Sequence, residues 1–232
     1  MNTNINIATK NLYGVFKPYT IEGNLRERSC DCCVSDAEIK ELLSKDLHVL
    51  SEDEIGHFMR SAVTTFGCVT DYKHFLPRIL ELMQFENSDM LFDFTTYEKL
   101  NYSKWETWSE SEIEAIKTYF TTLWIETLND TTTTLYKTQS MLKIMITYVG
   151  WDATFSIWEK AANSRWIHYV VDVVLGNDSL DFNTEDTERL MNWFSTHLFL
   201  SKLENAFLET EDKLEANRIS IAYTILEKYN KN

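Results

Sequence analysis

The sequence predicts an all-α fold: an antiparallel helical array, either a globular bundle or a short α-solenoid of helical hairpins, with an irregular N-terminal arm. Three observations predict it. Gly (6) and Pro (2) are scarce in 232 residues, whereas all-β folds turn about every ten residues and build those turns from Gly and Pro. Apolar residues recur at i, i+3, i+4 and i+7 in segment after segment. Three of those segments open with Ser-x-x-Glu, the capping box in which serine and glutamate each satisfy the other's backbone N–H.

A single domain over 1–232 is expected, in three stretches. Residues 1–34 read as the arm, with Gly14, Pro18 and Gly23 and at most one short helix or strand. Residues 35–104 read as short helices and loop. Ser35 with Glu38 caps the first of these, whose apolar face is Ile39, Leu42 and Leu43. Ser51 with Glu54 caps the second, whose stripe runs Ile55, Phe58, Met59, Ala62, Phe66 and stops at Gly67 as a C-cap. The segment 71–83 carries Phe75, Leu76, Ile79, Leu82 and Met83 on one side. Pro77 either sits in the first turn of that helix, where its missing N–H costs no hydrogen bond, or kinks a longer one, and the first is the expectation. Residues 86–104 read as loop with at most one short turn.

A regular helical series is expected over 109–229. Ser109 with Glu112 is the third capping box, ahead of Ile113, Ile116, Phe120, Leu123, Trp124 and Leu128. Asp130 and four threonines break the pattern. Helices then follow over 135–149, closed by Gly150, over 151–162, and over 164–175, closed by Gly176. Asn183 or Thr184 caps a helix to about Leu200 or beyond, and the last covers 211–229. Valines at 170, 171, 173 and 174 favour a strand by propensity, but their helical neighbours make helix the expectation.

The formal net charge is −14, spread along the chain: 10 basic and 16 acidic residues in 1–100, 12 and 20 in 101–232. Such a surface repels phosphate backbones and anionic lipid heads, which argues against nucleic acid or membrane as partner, and suits a basic protein partner. No apolar run approaches the roughly 20 residues a span needs. The first residues carry no signal-peptide pattern, so the four cysteines are expected as reduced thiols in the cytoplasm.

The most unusual local feature is Cys30-Asp31-Cys32-Cys33. Three thiols in four residues can converge on one soft ion, and zinc would take a fourth ligand from His57 or His74, with His48 and Cys68 as alternatives. The ordinary alternative is small buried thiols ahead of a helix. Reversible redox at Cys30 and Cys33 is less favoured, because the C-x-x-C lacks a βαβ context. Glu54-x-x-His57 is a single copy of a motif that di-metal bundles use twice. His168 and Asp172 share a helix face at i, i+4 and read as a local ion pair or hydrogen bond. There is no P-loop, no G-x-G-x-x-G, no H-E-x-x-H and no nucleophile elbow.

Cys30-Asp31-Cys32-Cys33, LHVLSEDEI (47–55) and TTFGCVTDYKHFLPRILEL (64–82) together resemble a group of uncharacterised bacterial proteins with a cysteine-rich start and a K-H-F-L-P-R helix. The resemblance covers roughly 25–85 and implies a bacterial, cytoplasmic protein whose signature includes Lys73, His74, Phe75, Pro77 and Arg78. It implies no activity. The leading functional expectation is a non-enzymatic, adaptor-like or immunity-like helical protein that binds another protein. A zinc-binding protein or metalloenzyme built on Cys30, Cys32 and Cys33 is the alternative.

Overall fold

A computed structural model describes residues 3–82, 84, 94–130, 133–161, 166–176 and 182–229. Among them the fold is all-α. The twelve α-helices are α1 (Thr3–Phe16), α2 (Asp36–Leu42), α3 (Glu52–Ser61), α4 (Val69–Leu82), α5 (Phe94–Tyr102), α6 (Glu110–Asn129), α7 (Leu135–Tyr148), α8 (Trp151–Glu159), α9 (Trp166–Val174), α10 (Thr184–Phe194), α11 (His197–Glu209) and α12 (Lys213–Tyr229). The only extended pairings among the described residues are isolated bridges of Phe66 to Ser29 and to Ala62. No described helix is long and apolar enough to cross a membrane.

The chain divides into two compact units: Met1–Glu126 with Ser140–Thr154, and Thr127–Gln139 with Phe155–Asn232. In the first unit α1 packs on α4, and α3 packs on α2, α4 and α5. Phe58 sits at its centre, with ring centroids 5.1 Å from Phe66 and 4.6 Å from Phe75. In the second unit α12 packs on α9, α10 and α11. Trp193 is the hub of its core, stacked on Phe155 at 3.8 Å and edge-on to Trp158 and Phe199.

Capping decides several helix starts. At α2 and α3 both halves of the box are made: Ser35 and Ser51 accept from the N–H groups of Glu38 and Glu54, and each glutamate accepts in return. The box at Ser109 and Glu112 also forms, at the head of α6. The Val-rich segment is helical, as α9, with Val170 and Val171 fully buried.

Five elements depart from expectation. The arm contains a 14-residue helix, α1, because Ile5, Ala8, Leu12 and Phe16 form a buried stripe at i, i+3, i+7 and i+11. Phe94–Tyr102 is helix rather than loop, anchored by buried Tyr97 and Leu100; Met83, 86–93 and Ala162 lie outside the described residues. Helix α3 ends at Ser61, not at Gly67. Phe66 stays buried by a turn that brings its N–H to the Ser61 carbonyl, with Val63 in the left-handed region at φ 65°. Pro77 lies in the interior of α4 rather than in its first turn, so the Lys73 carbonyl receives no helical N–H from it. The helix expected from 184 past Leu200 is two helices, α10 and α11, broken at Ser195 and Thr196.

A candidate thiol site

The cysteine segment hangs between two anchors in the first unit. On its N-terminal side, a 3-10 turn at Leu25–Arg28 is capped by Asn24 and pinned by buried Leu25. Ser29 Oγ donates to the Leu25 carbonyl at 2.8 Å and accepts from the Gly67 N–H at 3.3 Å. Cys30 N–H donates to the Thr65 carbonyl at 2.8 Å. On its C-terminal side, Val34 is buried and Ser35 opens α2.

The turn between these anchors folds over its own backbone. The Cys30 carbonyl accepts from Cys33 N–H at 3.2 Å, from Val34 N–H at 3.0 Å and from Arg26 Nη2 at 2.9 Å. Arg26 Nη1 donates to the Val34 carbonyl, so one guanidinium holds both ends of the turn. The same side chain lies 3.5 Å from the carboxylates of Asp31 and Asp36. This closed turn throws all three thiols to one side. Sγ of Cys30 is 3.2 Å from Sγ of Cys32, and Sγ of Cys32 is 3.6 Å from Sγ of Cys33. The three sulfurs lie within 4.8 Å of one another, and they are free thiols. Cys32 and Cys33 are exposed and Cys30 is half-exposed.

The sulfurs set each other's acidity. Hydrogen bonds from Cys32, then Cys33, hold the Cys30 thiol down to about 7. The hydrogen bonds and negative charge of Cys30, then Cys32, push the Cys33 thiol up to about 11. The cluster therefore presents one ready thiolate, at Cys30, beside a Cys33 thiol that keeps its proton near neutrality.

The histidines named with the cysteines stand elsewhere. His57 Nδ1 is 2.7 Å from Glu38 Oε1, with its ring edge-on to Phe66. His74 Nδ1 is 2.9 Å from the Tyr19 carbonyl, beside Phe75. His48 lies against Tyr13, their rings tilted at 33° with centroids 4.1 Å apart. Among the described residues the group of converging ligand atoms is three sulfurs with no imidazole. Cys68 is also separate: its N–H donates to Asp71 Oδ2 at 2.8 Å, at the head of α4. Glu54 and His57 do not act together, because Glu54 faces Ser51 and Lys45, which hold its carboxyl down to about 2.

In the second unit His168 and Asp172 do not pair with each other as expected. Both turn to α12, where His168 Nδ1 meets Glu215 at 2.7 Å and Asp172 meets Arg218, which also grips Glu215 at 2.8 Å. The same unit carries a groove of about 310 Å³ between α11 and α12, lined by Leu203, Glu204, Phe207, Leu208, Ile219 and Tyr223. Leu203 and Ile219 form its floor, Phe207 and Leu208 stand exposed at its edge, and Tyr223 O–H donates to Glu204 at 2.9 Å. Sequence periodicity placed these residues on helices but gave no sign that an apolar edge stays open.

Comparison with protein-family models, with curated proteins and with solved structures finds no match to this chain.

Proposed function

We propose that this chain binds a thiophilic ion through Cys30, Cys32 and Cys33. The observation that carries the reading is the convergence of three sulfurs, two exposed and one half-exposed, within 4.8 Å on a turn already closed by Arg26. Preorganisation matters because the entropy of gathering three side chains is met by folding rather than by binding. Soft thiolates select zinc, copper(I) and related ions over magnesium or calcium. With one thiolate already formed near neutral pH, capture begins at Cys30, and the neighbouring thiols lose their protons as the ion arrives.

Titration of the reduced full chain with zinc or cobalt(II) tests this. One ion per chain is expected, with a near-ultraviolet thiolate-to-cobalt band. That band should vanish in Cys30→Ser and Cys32→Ser and persist in Cys68→Ser. A chain that retains no ion and shows no band at any stoichiometry sinks the proposal. Loss of affinity in His57→Ala or His74→Ala would add that imidazole as a fourth ligand.

A second reading draws on the α11–α12 groove: docking of a cationic amphipathic helix. Its support is an apolar floor with exposed Phe207, Leu208 and Leu214 beside Glu204, Glu209, Glu211 and Asp212, all exposed. Such a groove takes aliphatic anchors at i, i+3 and i+4 and steers lysines to its rim. A synthetic Leu/Lys helix should bind, lose affinity with rising salt, and fail against Leu208→Glu. Equal binding by a Leu/Glu helix would refute it.

A further inference from the structure

We infer that the preferred occupant of the Cys30, Cys32, Cys33 cluster is trivalent arsenic, presented as arsenite, an inference that rests on the thiol-site reading above. Three observations separate it from zinc or copper(I). The first is number. The cluster supplies three sulfurs, and arsenic(III) makes three bonds, its lone pair taking the fourth direction. A zinc ion would need a fourth ligand to complete its tetrahedron.

The second is spacing. Zinc–sulfur bonds of about 2.3 Å at tetrahedral angles hold sulfurs about 3.8 Å apart, and a planar three-coordinate copper(I) spreads them further. Here Cys32 Sγ lies 3.2 Å from Cys30 Sγ and 3.6 Å from Cys33 Sγ, with all three sulfurs inside 4.8 Å. A pyramidal arsenic(III) thiolate, with S–As–S angles nearer a right angle, draws its sulfurs closer than either, which suits the two short pairs made by Cys32.

The third is charge. Three thiolates around a divalent cation leave a net negative site, next to Asp31 and Asp36, which outnumber the one Arg26 guanidinium they share, on a chain of formal charge −14. Arsenite arrives as neutral As(OH)₃ and reacts by condensation. Each thiol gives its sulfur to arsenic and its proton to a departing hydroxide, so three As–S bonds form, three As–O bonds break and three waters leave. Arsenic stays trivalent and the As(SR)₃ product is neutral; where Cys30 enters as a thiolate, the proton for the third departing hydroxide comes from solvent.

The test uses the reduced full chain with Cys68→Ser as background, so that every remaining thiol belongs to the cluster. Sodium arsenite is titrated and free thiols are counted with a disulfide reagent, with zinc chloride in parallel. One arsenite should protect three thiols, and zinc in about tenfold excess should not strip it. Cys32→Ser in the same background should protect two thiols and bind at least about tenfold more weakly, a loss of about 1.4 kcal/mol. Circular dichroism confirms that the variant folds. Retention of zinc without protection by arsenite overturns the arsenic assignment while leaving the thiol site standing. Retention of neither overturns both.

Discussion

Arg28 grips Asp71 bidentately through one edge of its guanidinium, Nε to Oδ2 at 2.9 Å and Nη2 to Oδ1 at 2.8 Å. The pair ties the turn before the thiol segment to the first turn of α4. Asp71 Oδ2 also accepts from Cys68 N–H, and the carboxylate is almost wholly buried. A side chain at Gly67 would crowd that oxygen at 3.0 Å, and the backbone there has φ +69°, which favours glycine.

The first prediction concerns this pair. Burial alone would raise the Asp71 carboxyl, but the Arg28 guanidinium and the Cys68 N–H overcome it and hold the carboxyl below the usual range. A depressed carboxyl contributes stability above its unfolded value of about 4, and that stability is lost as pH falls through the folded value. Asp71→Asn should cost about 2 kcal/mol at pH 7 and should flatten the fall in denaturation midpoint below about pH 4. A variant that keeps the full wild-type acid slope would contradict this.

A second buried pair joins α4 to the head of α6. Lys73 Nζ donates to Glu112 at 2.7 Å and to Tyr19 O–H at 3.1 Å, and sits 4.2 Å from the Trp108 ring centroid. Burial opposes the Glu112 charge, yet Lys73, Tyr19 and Ser109 hold its carboxyl down to about 2. Lys73→Met strands that charge and should cost about 3 kcal/mol. Lys73→Met with Glu112→Gln should cost less than the sum of the two single changes, by about 1 kcal/mol or more in chemical denaturation. Additive effects would mean that the pair is not coupled.

How much was legible follows from range. The starts of α2, α3 and α6 are written within four residues, Ser-x-x-Glu, and all three form. The thiol cluster is equally local, three cysteines in one turn. The partners of His57, His168 and Asp172 lie 19, 47 and 46 residues away, and no pattern in the chain specifies them. The end of α3 escaped for a subtler reason. Phe66 stays in phase with the stripe of Ile55, Phe58 and Met59, so periodicity continues after the helix has stopped.

Alkylation kinetics give a third prediction. The thiolate is the reactive form, so Cys30 should be modified first by iodoacetamide, at a rate rising through a midpoint near 7. Cys32→Ser removes the strongest of its supporting thiol donors and should move that midpoint toward the ordinary value of about 8.5. Peptide mass mapping of partly labelled protein reads both. Equal rates at Cys30 and Cys33 across pH would contradict the hydrogen-bonded order of the cluster.

The fourth prediction tests α1, the helix that the sequence concealed. Its stripe is set among asparagines and threonines, weak helix formers that mask the period. Burial of that stripe makes the helix pay its way: Leu12 has no exposed surface, whereas Ile7, five residues earlier, is 62 % exposed. Leu12→Ala should therefore cost about 3 kcal/mol through lost burial and the cavity left behind. Ile7→Ala, chemically as large a truncation, should stay within about 0.5 kcal/mol. Both are read from urea midpoints at constant slope. Similar small losses at the two positions would show that 3–16 is a loose arm. A large loss at Leu12 alone matches packing on the helix face that also carries Ile5, Ala8 and Phe16, a set that a strand would split between its two faces.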